Sequence, residues 1–197
     1  VNWREWEFVR HAENGVYESA ITRYDTNGSN YLFFADAEKI KGFQADVTVT
    51  EMVNTTGAFP YARLAGAFYN DGSAGGGRAG DVVATVALAP GGGAGGLLCY
   101  CWLTRCAGGD CNLIGESETI YNFTFPEQAF PYFPYTLSVV WDETSNEFTF
   151  GFDGVYHVAL LSPATKPPIA GPPLFGKGIS TRVSSIDSNA ESAYISA

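Results

Sequence analysis

The stretch Tyr135–Asp153, YTLSVVWDETSNEFTFGFD, constrains the fold of this chain more than any other segment. It holds two runs in which large apolar residues take every second position: Leu137, Val139 and Trp141, then Phe148, Phe150 and Phe152. This period of two is typical of β-strands with one buried face. The polar segment 142–146 between the runs predicts a hairpin, and Asp153-Gly154 predicts a second tight turn. We therefore expect an antiparallel strand pair with a heavy aromatic face.

Shorter runs with the same period continue along the chain. In the run 43–53, the positions expected to face the core are Phe43, Ala45, Val47 and Val49. In the run 61–70, the expected inner positions are Ala62, Leu64, Gly66 and Phe68. The expected outer positions of that run are Tyr61, Arg63, Ala65, Ala67 and Tyr69. Turn residues separate these runs, and no segment has the period of a long amphipathic helix.

The length and the number of runs predict a single domain over residues 1–197. Roughly a dozen short strands indicate an all-β fold, a two-sheet antiparallel sandwich of jelly-roll type. Single sandwiches often run to about 200–250 residues. Because the chain begins at Val1 and ends inside a predicted strand, we expect it to be part of a longer secreted protein.

The charge of the chain bears on its partners. The formal net charge is -10, and an acidic surface repels phosphate backbones, so nucleic acid is an unfavourable partner. No apolar run reaches the roughly 18 residues of a membrane-spanning helix. We therefore expect neither nucleic-acid binding nor a membrane span.

Four cysteines lie close together in the sequence: Cys99, Cys101, Cys106 and Cys111. Their spacing, C-x-C-x4-C-x4-C, does not match the paired C-x2-4-C knuckles of zinc sites, although zinc stays an alternative. The short loop between the last two favours a Cys106–Cys111 disulfide, which implies an oxidising compartment. The pairing of Cys99 and Cys101 is left open.

Three segments carry a resemblance to a known fold family. The segments FQADVTVTEM at 43–52, YARLAGAFYNDG at 61–72 and YTLSVVWDETSNEFTFGFDG at 135–154 resemble concanavalin A-like lectin/glucanase sandwiches, which include laminin G-like domains. The resemblance implies a two-sheet jelly roll. It does not fix the function, because such folds serve as lectins, glycosidases and adhesive modules alike.

The resemblance makes a glycosidase worth testing in the sequence. Retaining glycosidases need two carboxylates about 5–5.5 Å apart, and glucanases of this fold carry them as Glu-x-Asp-x-Glu. This chain lacks that motif; Glu116-Ser117-Glu118 is the nearest spacing. Neither His11 nor His157 accompanies a recognisable nucleophile motif. We therefore predict that the chain is not an enzyme.

Calcium is the metal that the sequence favours. The loop 25–30 and the turn Asn70-Asp71-Gly72 supply the oxygen ligands that Ca²⁺ binds. The predicted ligands are Asp25, Asn27 and Asp71. The same residue types are also ordinary turn formers.

A carbohydrate site would combine aromatic rings, on which a sugar can stack, with planar polar groups that bind its hydroxyls. The outward positions that fit are Tyr61, Arg63, Tyr69, Tyr100 and Trp102.

We accordingly predict a non-catalytic recognition module, extracellular or at the cell surface, that binds a glycan or a cell-surface polymer. The alternative is a structural or adhesive subunit that self-associates or binds another surface protein. An exposed aromatic patch in the Pro-rich loop 127–135 would favour that alternative. A divergent glycosidase is the third hypothesis.

Overall fold

The computed structural model describes residues 6–13, 16–23, 28–53, 58–73, 75–91, 95–109, 111, 117–163, 165–185 and 193–197. Of residues 6–13, 16–23, 28–30, 58, 184–185 and 193–196 only the backbone is described. Within these ranges no helix is long and apolar enough to cross a membrane.

The described residues form strands almost throughout. The strands are β1 Trp6–Glu13, β2 Val16–Arg23, β3 Gly28–Phe33, β4 Gly42–Thr48, β5 Glu51–Val53, β6 Ala58–Asn70, β7 Asp81–Pro90, β8 Leu97–Cys106, β9 Ser117–Ala129, β10 Pro134–Asp142, β11 Glu147–Phe152, β12 Val155–Val158, β13 Lys177–Ser185 and β14 Ala193–Ser196. A single 3-10 turn, Ala37–Lys39, interrupts them in the described ranges.

The strands pair into three antiparallel sheets. The largest has six strands in the order β3-β13-β6-β7-β8-β9, and a four-stranded sheet has the order β12-β11-β10-β4. A further four-stranded sheet has the order β1-β2-β14-β5. The predicted all-β, two-sheet antiparallel sandwich of jelly-roll type is therefore confirmed, with this third sheet as an addition.

The main core lies between the six-stranded sheet and the sheet built on β10 and β11. The hairpin predicted at 135–153 forms with Val139 opposite Phe150 and Trp141 opposite Phe148. Both pairs are buried against inner-face residues of the larger sheet, such as Leu64. Burying large side chains is the main favourable term in folding, about 1.5–3 kcal/mol for each one fully buried.

The two turns predicted in this stretch form, one between β10 and β11 and the other between β11 and β12. Asp142 accepts hydrogen bonds from the backbone N–H groups of Thr144, at 2.8 Å, and Ser145, at 3.4 Å. Asp153 and Gly154 have φ values of 47° and 83°. Two successive positive φ values are the requirement of the type I′ hairpin turn, and Asp-Gly satisfies it.

Two predicted boundaries differ in the structure. The run 43–53 is divided into β4 and β5, which join different four-stranded sheets. The loop expected from residue 127 begins only after Ala129, because β9 stays paired with β8 to the pair Leu97–Ala129. Edge pairing thus extends the strand into the start of a segment that its Pro and aromatic residues predict as a loop.

A β-bulge in β6 turns the Tyr69 side chain to the face opposite the predicted one. The register against β7 shifts between Ala67 and Tyr69, so strict alternation ends there. Phe68 and Tyr69 both pack in the main core, and Tyr69 is 1% exposed. The prediction that Tyr69 faces outward is wrong.

Candidate functional site

A groove lies on the outer face of the six-stranded sheet, opposite the main core. Its volume is about 220 Å³. It is lined by Tyr31, Tyr61, Arg63, Arg78, Val83, Thr85, Trp102, Thr104, Cys111, Ser117, Thr119, Phe175 and Arg182. Strand alternation explains the lining residues on β6, β7 and β8, because inner positions of these strands carry the core and the intervening positions line the groove.

Arg63 occupies the floor of this groove. Strand pairing places it opposite Ser180 of β13, and Ser180 opposite Tyr31 of β3. The Arg63 Nε group donates a hydrogen bond of 3.0 Å to the Ser180 hydroxyl. The guanidinium carbon lies 4.9 Å from the centre of the Tyr31 ring and 5.6 Å from that of Tyr61. These contacts hold a cation between two aromatic faces.

Aromatic rings and hydroxyl groups stand side by side along the groove. The Tyr61 and Trp102 rings meet edge to face, with centroids 5.8 Å apart. Tyr61 is 7% exposed, whereas Trp102 is half-buried and keeps part of its ring open. Thr85 lies opposite Trp102 in the β7–β8 pairing, so a hydroxyl adjoins the indole.

The charges in the groove contrast with those of the whole chain. The chain has a net charge of -10, but the described lining contains three arginines, Arg63, Arg78 and Arg182, and no Asp or Glu. Burial, and secondarily the charge of Arg182, lower the pKa of Arg63 well below its usual range. Both causes act in this direction, because burial and a nearby like charge each disfavour the charged form of the guanidinium.

Two loops complete the rim. The carboxylate of Asp81 accepts hydrogen bonds from the backbone N–H groups of Leu174 and Phe175, at 3.0 and 2.9 Å. This fixes the Phe175 ring, which lies 4.6 Å from the Arg78 guanidinium. The backbone N–H of Arg78 donates a hydrogen bond of 3.2 Å to the carbonyl of Gly109, which lies in the loop closed by the disulfide.

The structure brings together three of the five residues predicted for carbohydrate binding. Tyr61, Arg63 and Trp102 line the groove. Tyr100 lies on the same face and packs with Tyr61 and Trp102, but it does not line the groove. Tyr69 lies in the main core on the other side of the sheet.

Sequence reasoning missed most of the remaining lining residues. Thr85 and Thr104 could have been found, because each is an outer position by the same alternation that identified Trp102. Tyr31 and Arg182 depend on the pairing of β13 with both β3 and β6, which is distant in sequence. Phe175 follows a Pro-rich segment with no periodic pattern and carries no such signal.

The predicted calcium ligands find little support in the geometry. Asp25 and Asn27 lie outside the described residues. The carboxylate of Asp71 is 2% exposed; it accepts hydrogen bonds from the Ser73 N–H at 2.9 Å and from Arg105 at 3.4 Å. An arginine at this carboxylate competes with a cation. In the described part of the chain no three His, Cys, Asp or Glu side chains cluster as a metal site would require.

The cysteines behave as two distinct pairs. Cys106 and Cys111 form a disulfide, as the sequence predicts, and Cys111 lines the groove. Cys99 and Cys101 are free thiols buried in the main core. Burial raises the pKa of Cys101 to about 12 and that of Cys99 still higher, so both are neutral and poorly reactive.

Three side chains that could serve in acid–base chemistry lie outside the groove: Asp142, Glu147 and His157. Asp142 and Glu147 flank the exposed tip of the β10–β11 hairpin, where the Thr144 N–H and then the Ser145 groups lower the pKa of Asp142. A general acid needs the opposite shift. His157 of β12 stacks on Phe123 with centroids 3.5 Å apart and hydrogen-bonds the Tyr121 hydroxyl. Its ring is therefore part of the packing between β12 and β9.

No protein-family profile matches the sequence, and no curated protein matches it. Among solved structures, the chain is similar to a glycoside hydrolase family 16 endo-glucanase from Bacteroides ovatus, solved in complex with G4G3G-2F-DNP. The identity is 12% and the TM-score 0.48, over 95% of this chain and 82% of that one. A likeness at this level concerns the fold and not the activity.

We withdraw the prediction that this chain is not an enzyme, because its premise is too narrow. The prediction rested on the missing Glu-x-Asp-x-Glu run. The absence of one carboxylate arrangement excludes one mechanism in one geometry, and it does not exclude catalysis in general.

Proposed function

We propose that the groove on the outer face of the six-stranded sheet binds a carbohydrate chain. The supporting observation is the convergence of Tyr61, Arg63 and Trp102 with the hydroxyls of Thr85 and Thr104 in one concave site. Rings that stack on the C–H face of a sugar and polar groups that bind its hydroxyls are the two components of such a site.

The size of the groove favours a segment of a longer molecule. Its volume of about 220 Å³ is below the roughly 300–1,000 Å³ of pockets that enclose a drug-sized ligand. A groove of this size can hold one or two units of a polymer, with the rest of the chain outside. A cell-surface or extracellular polymer is the ligand we favour, and the disulfide agrees with an oxidising compartment.

A two-carboxylate hydrolase is a less favoured function for this groove. The described lining offers no acidic side chain, and that mechanism needs two. Analysis of the products after incubation with each bound glycan would reveal any cleavage.

Glycan-array binding of the purified protein tests the proposal. We expect saturable, glycan-selective binding that weakens about tenfold in Trp102→Ala, the scale of a lost central contact. Phe133→Ala is the matched control, because that ring is 61% exposed outside the groove. Repeating the array with EDTA tests the predicted calcium dependence. Absence of binding to every glycan under both conditions would refute the proposed function.

The adhesive alternative has one observation in its favour. Phe130, Tyr132 and Phe133, in the loop between β9 and β10, are 48%, 73% and 61% exposed. Exposed apolar patches often mark protein contacts. Sedimentation velocity would show a concentration-dependent dimer that Phe133→Ala weakens if this loop mediates self-association; a monomer at all concentrations would reject self-association through it.

A further inference from the structure

The Arg63 guanidinium is buried, and no carboxylate among the described residues pairs with it. Arg63 is 6% exposed. Its Nη2 atom is the single buried side-chain nitrogen or oxygen in the described ranges that lacks a hydrogen-bond partner. Proteins rarely leave a charged donor in this condition, because burying an unpaired charge costs several kcal/mol.

A second buried cation of this protein, Lys177, does have a hydrogen-bond partner. Lys177 is 1% exposed, and its amine donates a 2.8 Å hydrogen bond to the Ala37 carbonyl. Burial lowers the pKa of Lys177 to about 8, so that amine can also lose its proton. An arginine releases its proton far less readily than a lysine, so Arg63 needs an anionic partner more than Lys177 does.

The surroundings of Arg63 match an incoming anion. Arg78 and Arg182 line the same groove and add positive charge to it. The Nε of Arg63 is already engaged with Ser180, which fixes the plane of the guanidinium. The unpaired Nη2 is therefore held in a set orientation. A planar guanidinium binds carboxylate and sulfate oxygens with strong, charge-assisted hydrogen bonds.

We propose that the ligand of the groove is an acidic carbohydrate whose carboxylate or sulfate group binds the Nη2 of Arg63. This inference rests on the proposed carbohydrate-binding function and names the class of glycan. The ring of the acidic sugar would lie beside Trp102, and the arginines would neutralise its charge.

The test compares glycans that differ only in charge. Oligogalacturonate with free carboxylates and the same oligomer fully methyl-esterified are titrated by calorimetry, together with a sulfated oligosaccharide and its unsulfated form. In at least one pair, we expect the charged glycan to bind at least about tenfold more tightly than its uncharged form. A hydrogen bond to a charged group contributes a difference of this size.

Variants assign the effect to the residue. Arg63→Lys keeps the charge but loses the planar fork, and it should reduce the preference for the charged glycan. Arg63→Gln should abolish it. Lys39→Gln is the control, since it removes one positive charge at a side chain that is 72% exposed and outside the lining. Circular dichroism establishes folding, and the comparison of glycan pairs on the unmodified chain stands even if Arg63→Gln does not fold.

The outcomes separate the two proposals. Equal binding of charged and neutral glycans overturns the acidic-ligand proposal and leaves carbohydrate binding intact. Binding of no glycan overturns both. If sodium sulfate alone binds as tightly as the sulfated glycan, and Arg63→Lys weakens both equally, the site takes a free anion and the acidic-carbohydrate proposal is rejected.

Discussion

The two faces of the six-stranded sheet differ sharply although they share the same strands. The inner face of β6, β7 and β8 presents residues such as Leu64, Val86 and Leu103, all fully buried against the opposing sheet. The outer face presents Arg63, Thr85 and similar residues to a groove. One face supplies stability by excluding water, and the other keeps polar groups where a ligand could use them. We expect substitutions on the two faces to have separable effects.

Substitution at the aromatic side of the core should have the largest effect. Phe150→Ala removes a ring that is 0% exposed, and it should lower the free energy of unfolding by about 3–5 kcal/mol. Urea denaturation measures this loss. Val140→Ala, at a position 49% exposed on the neighbouring strand, should change stability by no more than about 0.5 kcal/mol. A similar effect of both variants would mean that the core does not lie between the two sheets.

Substitution of Asp81, which holds the groove rim, should have the second largest effect on stability. Asp81→Asn weakens the hydrogen bonds from the Leu174 and Phe175 N–H groups, and we expect a loss of about 2–4 kcal/mol, since bonds to charged groups contribute about 1.5–3 kcal/mol each. Thermal unfolding gives the value. The exposed Asp153 provides the control Asp153→Asn, since Asn also tolerates its positive φ. Equal stability of the two variants would show that the rim does not depend on Asp81.

Two aromatic substitutions test the assignment of rings to opposite faces. Trp102→Ala should reduce glycan affinity by about tenfold. Tyr69→Phe should leave affinity unchanged and cost about 0.5–1.5 kcal/mol of stability, because it deletes the hydroxyl that donates to the Pro167 carbonyl at 3.2 Å. Calorimetry and urea denaturation on each variant provide the measurements. Reduced affinity in Tyr69→Phe would contradict the burial of Tyr69 away from the groove.

The smallest effect concerns His157, where β12 packs against β9. Burial lowers the pKa of His157 below its usual value of 6.5. Between that lowered value and 6.5 the unfolded chain binds more protons than the folded one, so stability is full above pH 6.5 and falls as the pH drops through this window. The melting temperature of the unmodified chain should thus fall more than that of His157→Gln between pH 7 and pH 5.5. Identical slopes would mean that the ring is equally protonated in both states.

Much of this architecture is encoded locally. The alternation in 135–153 and the polar segment 142–146 predicted a hairpin, and β10 and β11 form it. Alternation in 61–67 placed Tyr61 and Arg63 on the outer face, where they line the groove. These predictions succeed because strand geometry sends successive side chains to opposite faces regardless of what lies beyond the strand.

The predictions failed where a neighbouring strand changes the local pattern. Tyr69 was expected outside, but the bulge after Ala67 turns it into the core. The partner strand decides the orientation of Tyr69. The calcium role of Asp71 stays a prediction; its carboxylate accepts hydrogen bonds from Ser73 and Arg105, contacts that the sequence pattern does not indicate.

The sequence by itself determined the strands, the aromatic hairpin, the disulfide loop and the face on which most side chains lie, because each depends on residues within a few positions of one another. The tertiary structure decided which of those side chains meet. Arg182 lies more than a hundred residues after Tyr31 and Arg63 in the sequence, yet strand pairing places all three in one groove. Long-range pairing also leaves the Arg63 guanidinium buried without an anion, because the partners of a side chain depend on how distant strands pack.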